Sequence, residues 1–214
     1  MGKFDHQKPE AGIQRYGWES CQATPAHECL LPAILKLLPK GRTLSILDAG
    51  CGNGFVAGKL AELGHHVVGV DLAKDGIAIA RNTYPHLRFE VHSVYDDLRD
   101  IVTNIDLVIS SEVIEHLFSP AAFLSNVHNI IRPGGYILLT TPYHGYLKNL
   151  LISIFGMWDK HHTVDWEGGH IKFFSEDSLS RMLRSTGFVD ITFYNAGRVP
   201  LIWKSMVCRA KTNE

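Results

Sequence analysis

The chain of 214 residues carries 21 Lys and Arg against 22 Asp and Glu, and 45% of its residues are hydrophobic. This composition indicates a single folded domain over residues 1–214, and the balanced charge provides no general attraction for nucleic acid, so no DNA partner is expected. Four cysteines without a CxxC pair favour reduced thiols, and the N-terminus MGKFDHQKPE lacks the apolar stretch of a secretory signal. We therefore expect a cytoplasmic protein, whose oligomeric state the sequence leaves open.

Residues 1–42 are predicted to form an N-terminal arm followed by a helix over Pro25–Leu38. From residue 43 onward, short β-rich runs alternate with helical spacing of apolar residues. The predicted strands are Thr43–Asp48, His66–Asp71, Leu87–His92, Ile105–Ser110, Tyr136–Thr141, Val189–Tyr194 and Ile202–Arg209. The other predicted helices are Phe55–Leu63, Asp75–Tyr84, Pro120–Ile131 and Glu176–Thr186, and a turn at 133–135 precedes the fifth strand. Apolar strands separated by helices predict an α/β fold with a parallel sheet covered on both faces, whose ligands bind at the carboxyl ends of the strands.

A glycine-rich loop, Gly50–Gly54, directly follows the first predicted strand and opens a helix. Glycine is needed where the chain turns sharply and lets a ligand approach its backbone. A dinucleotide fingerprint would require glycine at position 55, where this chain has Phe55. Asp48, just before the loop, would repel a pyrophosphate but would attract a cationic ligand.

Asp71 ends the second predicted strand, seventeen residues beyond Gly54. A carboxylate at this place can accept hydrogen bonds from both ribose hydroxyls of an adenosine. Alone, Asp71 would be equally typical of a solvated strand end. Together with the glycine loop it predicts a nucleoside site.

Four successive segments resemble the motifs of the class I S-adenosylmethionine-dependent methyltransferases, in particular the ubiquinone-pathway O-methyltransferases and the type 11 and type 23 methyltransferase groups. They are ILDAGCGNG (46–54), VVGVDLA (67–73), DLVISSEVIEHL (106–117) and IIRPGGYILLTTP (130–142). The resemblance covers nearly all of the chain from residue 43. It implies a Rossmann-like, mostly parallel sheet of seven strands with helices on both faces and the last strand antiparallel, and S-adenosylmethionine as the cofactor.

The resemblance also implies which residues contact that cofactor. The loop residues and Asp48 would hold its amino-acid portion, Asp71 the ribose, and residues after the third and fourth strands the adenine and the methionine side. The predicted cofactor-binding residues are Asp48, Gly50, Cys51, Gly52, Gly54, Asp71, Leu72, Ser93, Val94, Ser111 and Glu112. Tyr16 and Trp18 in the arm are predicted to cap the pocket.

The segment Glu112–His116 carries the residues best suited to the transfer step. If it is helical, Glu112, Glu115 and His116 share one face. With His170 they would offer two carboxylates and two imidazoles to Mg²⁺ or Mn²⁺. This arrangement resembles the ExxEH…H pattern of small-RNA 2′-O-methyltransferases, in which His170 matches the distal histidine. The alternative is that Glu115 and His116 bind no metal and serve helix capping and cofactor-side hydrogen bonds.

Without a metal, the general base is predicted among His116, His144 and His170. Residues 143–172 interrupt the α/β pattern and are interpreted as a substrate-side insertion that also contains His161, His162 and Asp165. Within it, Tyr146–Trp158 is apolar but too short to cross a bilayer. It is a candidate for a substrate wall or for peripheral membrane contact, and a helix packed in the core is an equal alternative.

We therefore expect methyl transfer to a small-molecule acceptor, to oxygen more than to nitrogen. The acceptor would be an apolar or isoprenoid-like phenol, or a sugar-linked metabolite. The alternative enzyme is an RNA-end 2′-O-methyltransferase, which is disfavoured because Arg and Lys are only scattered along the chain. A cofactor-binding domain without catalysis is opposed by the intact Asp48, Asp71 and Glu112. A nicotinamide dehydrogenase is disfavoured by Phe55 and by the absence of a substrate domain.

Overall fold

The computed structural model describes residues 17–162, 168–197, 200 and 203–213 of the chain. The strands are β1 (Ser45–Ala49), β2 (His66–Asp71), β3 (Arg88–Val91), β4 (Ile105–Ser111), β5 (Ile131–Pro142), β6 (Phe188–Ala196) and β7 (Ser205–Thr212). The helices are α1 (Pro25–Leu37), α2 (Phe55–Glu62), α3 (Lys74–Thr83), α4 (Pro120–Ile130), α5 (Tyr146–Ile154), α6 (Trp158–His162) and α7 (Glu176–Ser185). Two short 3-10 helices lie at Leu98–Asp100 and Ile114–His116.

The seven strands form one sheet in the order β3-β2-β1-β4-β5-β7-β6. The pairs among β1 to β5 are parallel, whereas β7 runs antiparallel to both β5 and β6. The predicted α/β class and the antiparallel last strand are therefore confirmed. The strand order reverses at β1, so the carboxyl ends of β1 and β4 diverge there and leave room for a ligand.

Successive residues of the central strands point to opposite faces of the sheet. Both sets are apolar, so the sheet is buried on both faces. Leu47 and Val108 belong to the apolar cluster on one face, and Ile46 and Leu107 belong to the cluster on the other face. All four side chains are fully buried. This packing fixes the strand ends that carry the site.

Local sequence explains several helix boundaries. Thr24 caps α1 and Ser175 caps α7, and in each case the third helical residue returns a hydrogen bond to the cap. The predicted helices agree with the structure to within one or two residues at each end. None of the helices in the described part of the chain has both the length and the apolar character that crossing a bilayer requires.

Two local predictions are wrong. The expected turn at 133–135 lies inside β5, which already pairs with β4 at Ile131 and then shifts its register before Tyr136. The segment Glu112–His116 is not one helix, because Glu112 has a left-handed backbone with φ of 54° and the 3-10 helix starts only at Ile114. The assignment of residues 1–214 to a single domain stays a prediction.

Candidate active site

The glycine loop bends around the carboxyl end of β1 in a conformation that other residues rarely adopt. Gly50 and Gly52 have φ of 84° and 51°. A Cβ at Gly50 would collide with the side chain of Val113, and one at Gly52 would lie 2.5 Å from the ring of Trp18. The absence of side chains therefore lets both the β4 loop and the N-terminal segment approach the loop closely.

A cavity of about 310 Å³ opens at this edge of the sheet. Its lining residues are Trp18, Thr24, Ala26, His27, Asp48, Gly50, Cys51, Gly52, Val56, Asp71, Leu72, His92, Val94, Ser111, Glu112, Val113, His116 and Leu117. The lining contains three carboxylates and neither Lys nor Arg. A cationic or neutral ligand is therefore favoured over an anionic one.

Asp48 carries the most unusual carboxylate of the lining. Its side chain is 1% exposed, and its Oδ2 has no hydrogen-bond partner among the described residues. Burial, followed by the nearby charge of Asp71, raises the pKa of Asp48 to about 7. A cationic group of a ligand would supply the missing partner and favour the ionised form.

Asp71 is held rigidly at the end of β2. Its Oδ2 accepts a hydrogen bond of 2.8 Å from the backbone N–H of Gly52, and its Oδ1 accepts one of 2.8 Å from that of Ala73. Burial raises the pKa of Asp71, while these backbone hydrogen bonds oppose the rise. Each carboxylate oxygen has a further lone pair, so Asp71 can also accept hydrogen bonds from two vicinal hydroxyls.

A short N-terminal segment, residues 17–24, contributes Trp18 and Thr24 to the cavity lining and is called the strap below. Asp75 Oδ2 accepts hydrogen bonds from the backbone N–H groups of Gly17 and Trp18, at 2.8 and 3.1 Å. The side-chain amide of Asn53 donates to the carbonyl of Ser20 at 2.8 Å. These contacts place the ring of Trp18 in the cavity wall, as predicted, whereas Tyr16 lies outside the described residues.

Glu112 turns toward β5 instead of toward His116. Its side chain accepts a hydrogen bond of 2.9 Å from the hydroxyl of Thr140, and its backbone N–H donates to the same residue. Burial raises the pKa of Glu112 to about 7, although the hydrogen bond from Thr140 and the charge of Lys204 oppose the rise. Because of its left-handed backbone, Glu112 does not join the predicted metal-binding group.

Glu115, His116 and His170 do come together, with one potential ligand atom of each within 4.8 Å of the others. Glu115 is fully buried, and neither of its carboxylate oxygens has a hydrogen-bond partner among the described residues. Burial, followed by the charge of Glu112, raises the pKa of Glu115 well above its usual range. A cation would satisfy these oxygens, so three of the four predicted ligands fit a metal ion in their chemistry.

His116 is the one predicted base that lines the cavity. Its Nδ1 lies 3.2 Å from the carbonyl oxygen of Gly169. A carbonyl only accepts hydrogen bonds, so Nδ1 carries the proton of the neutral ring and Nε2 carries the lone pair. Burial lowers the pKa of His116, although the hydrogen bond to Gly169 opposes this, and the ring is neutral at pH 7.

The other two predicted bases, His144 and His170, are not part of the cavity lining. The ring of His170 is 4.9 Å from that of His116, and burial lowers its pKa to about 4. His144 packs against His162 and Phe173, with ring centroids 5.6 and 5.1 Å apart. Burial, followed by the charge of Lys148, lowers the pKa of His144 to about 4. Neither residue lines the cavity, so the geometry argues against either as the base that touches a ligand.

Nine of the eleven predicted cofactor-binding residues line the cavity, and the exceptions are Gly54 and Ser93. Gly54 caps α2 with φ of 79°, and the hydroxyl of Ser93 accepts a hydrogen bond from the backbone of Tyr95. The lining residues that sequence reasoning missed are Thr24, Ala26, His27, Val56, His92, Val113 and Leu117. Of these, His92 directly follows β3. Because ligands of a parallel sheet bind at the carboxyl ends of its strands, this position could have been recognised from the sequence as a candidate for the cavity lining. Asp165 lies outside the described residues.

Comparison with known proteins gives a consistent result. The methyltransferase-domain family matches residues 24–192. The ubiquinone biosynthesis O-methyltransferase of Ruegeria pomeroyi is 29% identical over 169 residues, which are 75% of this chain and 66% of that protein. The enzyme of the same name from Dinoroseobacter shibae is 32% identical over 152 residues, which are 67% of this chain and 59% of that protein. The chain thus spans less than two thirds of the length of these relatives.

Solved structures share the fold. A methyltransferase of Thermotoga maritima, described as S-adenosylmethionine-dependent and as a possible histamine N-methyltransferase, superimposes with a TM-score of 0.67 at 19% identity. The superposition covers 88% of this chain and 90% of that one. Since the family matches from residue 24 to residue 192 and the sheet has this order, the chain belongs to the class I S-adenosylmethionine-dependent methyltransferases.

Proposed function

We propose that the chain transfers the methyl group of S-adenosylmethionine to an oxygen atom of a small-molecule acceptor. One observation carries this proposal. The cavity joins two acids, the buried Asp48 and the half-buried Asp71, to the neutral imidazole of His116 in a single lining without Lys or Arg. The acids suit a cationic nucleoside, and the imidazole suits a hydroxyl that must lose a proton.

In the proposed complex, the carboxylate of Asp71 accepts hydrogen bonds from the two ribose hydroxyls. Asp48 faces the ammonium and sulfonium charges of the methionine portion. Trp18 and the strap cover the nucleoside from the N-terminal side. The positions of these residues at adjoining strand ends support this orientation of the cofactor, with the methyl group directed toward the side of Ser111 and His116.

The transfer step itself needs little covalent help from the protein. The acceptor oxygen forms its bond to the methyl carbon as the bond from that carbon to sulfur breaks, and S-adenosylhomocysteine leaves. The proton of the acceptor hydroxyl goes to Nε2 of His116. Holding oxygen, carbon and sulfur in line can contribute about 7–11 kcal/mol, and a positioned base contributes about 10²–10⁴-fold.

An apolar acceptor is favoured by exposed apolar side chains in the segments that follow β4 and β5, whose carboxyl ends lie at the same edge of the sheet as the cavity. Tyr146, Phe155 and Phe118 are 84%, 69% and 85% exposed, and further apolar side chains of α5 and α6 are also exposed. The names of the relatives, ubiquinone biosynthesis O-methyltransferases, support oxygen and a small molecule as acceptor. Since the cavity lining contains no Lys or Arg, an RNA acceptor is less supported.

As an alternative to His116 as the base, we propose a divalent cation, Mg²⁺ or Mn²⁺, held by Glu115, His116 and His170, in which case the lone pair of His116 Nε2 binds the ion. When bound, the ion would lower the pKa of an acceptor hydroxyl. Thermal-shift titrations with MgCl₂ and MnCl₂ test this on the wild type and on Glu115→Gln. Stabilisation of the wild type that is lost in the variant supports the site. No shift with either metal would remove the metal and leave His116 as the base.

Peripheral membrane contact through 146–158 is part of the proposal, because Ile154 at the end of α5 and Phe155 directly after it are exposed to solvent. Co-sedimentation with liposomes tests it on the wild type and on Ile154→Ser/Phe155→Ser. A matched control replaces two exposed apolar residues elsewhere, Leu63 and Val189, with Ser. Equal partitioning of all three proteins would end this part of the proposal. A location in the cytoplasm stays a prediction.

A radiolabelled methyl-donor assay across phenols, sugars, amines and short RNAs tests the function directly. The proposal expects transfer to hydroxyl acceptors, with the highest rate for apolar phenols. Transfer to amines or RNA alone would contradict it. Binding of S-adenosylhomocysteine without transfer to any acceptor would instead favour a cofactor-binding domain without catalysis.

A further inference from the structure

The three histidines of the cavity lining, His27, His92 and His116, present different nitrogen atoms to a ligand. Nδ1 of His92 lies 2.9 Å from the carbonyl oxygen of Ser93, and Nδ1 of His116 lies 3.2 Å from that of Gly169. A carbonyl only accepts hydrogen bonds, so in the neutral form of these two rings Nδ1 carries the proton and Nε2 carries the lone pair. His27 is reversed, because its Nδ1 accepts a hydrogen bond of 3.2 Å from a backbone N–H. In the neutral ring of His27, Nε2 therefore carries the proton and can only donate.

The local roles of His27 leave this N–H group unused. At the start of α1, His27 and Thr24 exchange hydrogen bonds in a capping box, which uses Nδ1 and the backbone N–H of His27. The ring stacks on Phe55 and lies parallel to Trp18, with centroid distances of 5.0 and 6.4 Å, and these contacts use its faces. Among the described residues, none accepts a hydrogen bond from Nε2 of His27. Since the half-buried ring lines the cavity, this donor is available to a ligand.

The same ring contacts place His27 beside the glycine loop. The ring of Trp18 approaches Gly52 so closely that a Cβ there would lie 2.5 Å from it, and Phe55 directly follows Gly54. A ring that stacks on both aromatic residues is therefore next to the loop. In the proposed complex this is the end of the cavity that holds the amino-acid portion of the donor.

The donor brings a carboxylate to this end. In S-adenosylmethionine the carboxylate and the ammonium group are attached to the same carbon, so the carboxylate lies close to the group that faces Asp48. The acids of the lining, Asp48, Asp71 and Glu112, repel it, and the lining described here contains no Lys or Arg to balance it. A hydrogen bond from a neutral N–H to an ionised acceptor is stronger than one between neutral groups. Burial lowers the pKa of His27, so the ring is neutral at neutral pH and is not drawn onto the acids.

We propose that Nε2–H of His27 donates a hydrogen bond to the carboxylate of S-adenosylmethionine and makes the cavity selective for donors that carry this carboxylate. His27 fixes the amino-acid end of the donor while Asp71 holds the ribose, so the sulfonium between these ends is oriented toward the acceptor. The inference rests on the proposed function for the orientation of the donor. Capping alone would be served equally by Glu or Gln, the usual residues at this place of a capping box, and Glu could not donate to a carboxylate.

Calorimetric titration of the full chain with two ligands at neutral pH tests this inference. One ligand is S-adenosylhomocysteine, and the other is its decarboxylated analogue, which keeps the adenosine, the sulfur and the amine. His27→Gln keeps an acceptor for the cap and an N–H donor, whereas His27→Glu keeps the acceptor and has no donor. The matched control is His66→Glu, which adds the same charge at an exposed position outside the cavity lining. Melting temperatures show that each variant folds, and His27→Phe, which keeps the stacked ring, replaces His27→Glu if that variant does not.

The wild type and the control are expected to bind S-adenosylhomocysteine about tenfold more tightly than the analogue. His27→Gln should keep this preference within about threefold. His27→Glu should lose it through weaker binding of S-adenosylhomocysteine, with an affinity for the analogue within about threefold of the wild type. An unchanged preference in His27→Glu, an equal loss of affinity for both ligands, or equal affinities in the wild type overturns this inference alone. A wild type that binds neither ligand overturns the proposed function as well.

Discussion

The cofactor end and the acceptor side of the active site are built in different ways. At the cofactor end, Asp48 and Asp71 lie on the adjoining strands β1 and β2, and backbone hydrogen bonds hold Asp71 against Gly52 of the glycine loop and against Ala73. On the acceptor side, His116 and His170 come from segments more than fifty residues apart, and the neighbouring α5 and α6 expose much of their apolar surface.

The comparison shows that binding the donor and choosing the acceptor place different demands on the chain. The donor is fixed, so its site can be part of the rigid sheet. An acceptor site can vary without disturbing the sheet if it is made of helices and loops added at its edge. The following predictions test whether the two halves are separable, starting with the largest expected effect.

Asp71→Ala should weaken binding of S-adenosylhomocysteine about a thousandfold, because two hydrogen bonds to a charged, half-buried carboxylate are lost. Calorimetry measures the affinity, and Asp100→Ala, which removes an exposed acid, is the control. Tight binding retained in Asp71→Ala would break the assignment of the ribose to this residue and with it the contrast between the two halves.

His116→Gln should lower kcat about a hundredfold and leave the affinity for S-adenosylhomocysteine within about twofold of the wild type. Initial rates on the best acceptor and calorimetry measure the two quantities. His66→Gln, at an exposed position, is the control. If His116→Gln loses cofactor affinity as much as activity, the acceptor side is not separable from the cofactor end.

Asp48→Asn tests the buried acid through pH. Because the pKa of Asp48 is raised to about 7, the wild type should bind S-adenosylmethionine about tenfold more weakly at pH 6 than at pH 8. The variant should bind weakly and lose most of this pH dependence. An equally steep decline in the variant would assign the titration to another group, such as Glu112.

The same substitution should stabilise the protein without ligand. A carboxylate whose pKa is raised by folding stabilises the folded state only at low pH, and this contribution is lost as pH rises through the folded pKa of about 7. At pH 8 the melting temperature of Asp48→Asn should therefore exceed that of the wild type by about 3 °C or more. A lower melting temperature would contradict the burial of an ionised group.

Asp75→Ala should have the smallest effect, because it removes the two hydrogen bonds that hold the strap at Gly17 and Trp18 but leaves the carboxylates of the cavity lining unchanged. We expect S-adenosylhomocysteine to dissociate about threefold faster, with little change in kcat. Stopped-flow displacement measures the rate. Trp18→Ala should act in the same direction, and opposite effects of the two variants would show that the strap does not cover the ligand.

The same contrast explains how far the sequence could predict the structure. Strand periodicity and the glycine loop predicted the parallel sheet and the edge at which the cavity lies, because those features are dictated by the local backbone. The candidate cofactor-binding residues came from the family resemblance, and nine of them line the cavity. The prediction of one helix over Glu112–His116 failed because the hydrogen bonds of Glu112 to Thr140, twenty-eight residues later, override local helical spacing.

A crystal of the protein soaked with S-adenosylhomocysteine tests the central claim most directly. We predict ligand density in the cavity between β1 and β2, with the ribose hydroxyls on Asp71, the amino group facing Asp48 and the sulfur on the side of His116. Density at another place on the sheet edge, or a cavity that stays closed by its own side chains at saturating ligand, would contradict the account.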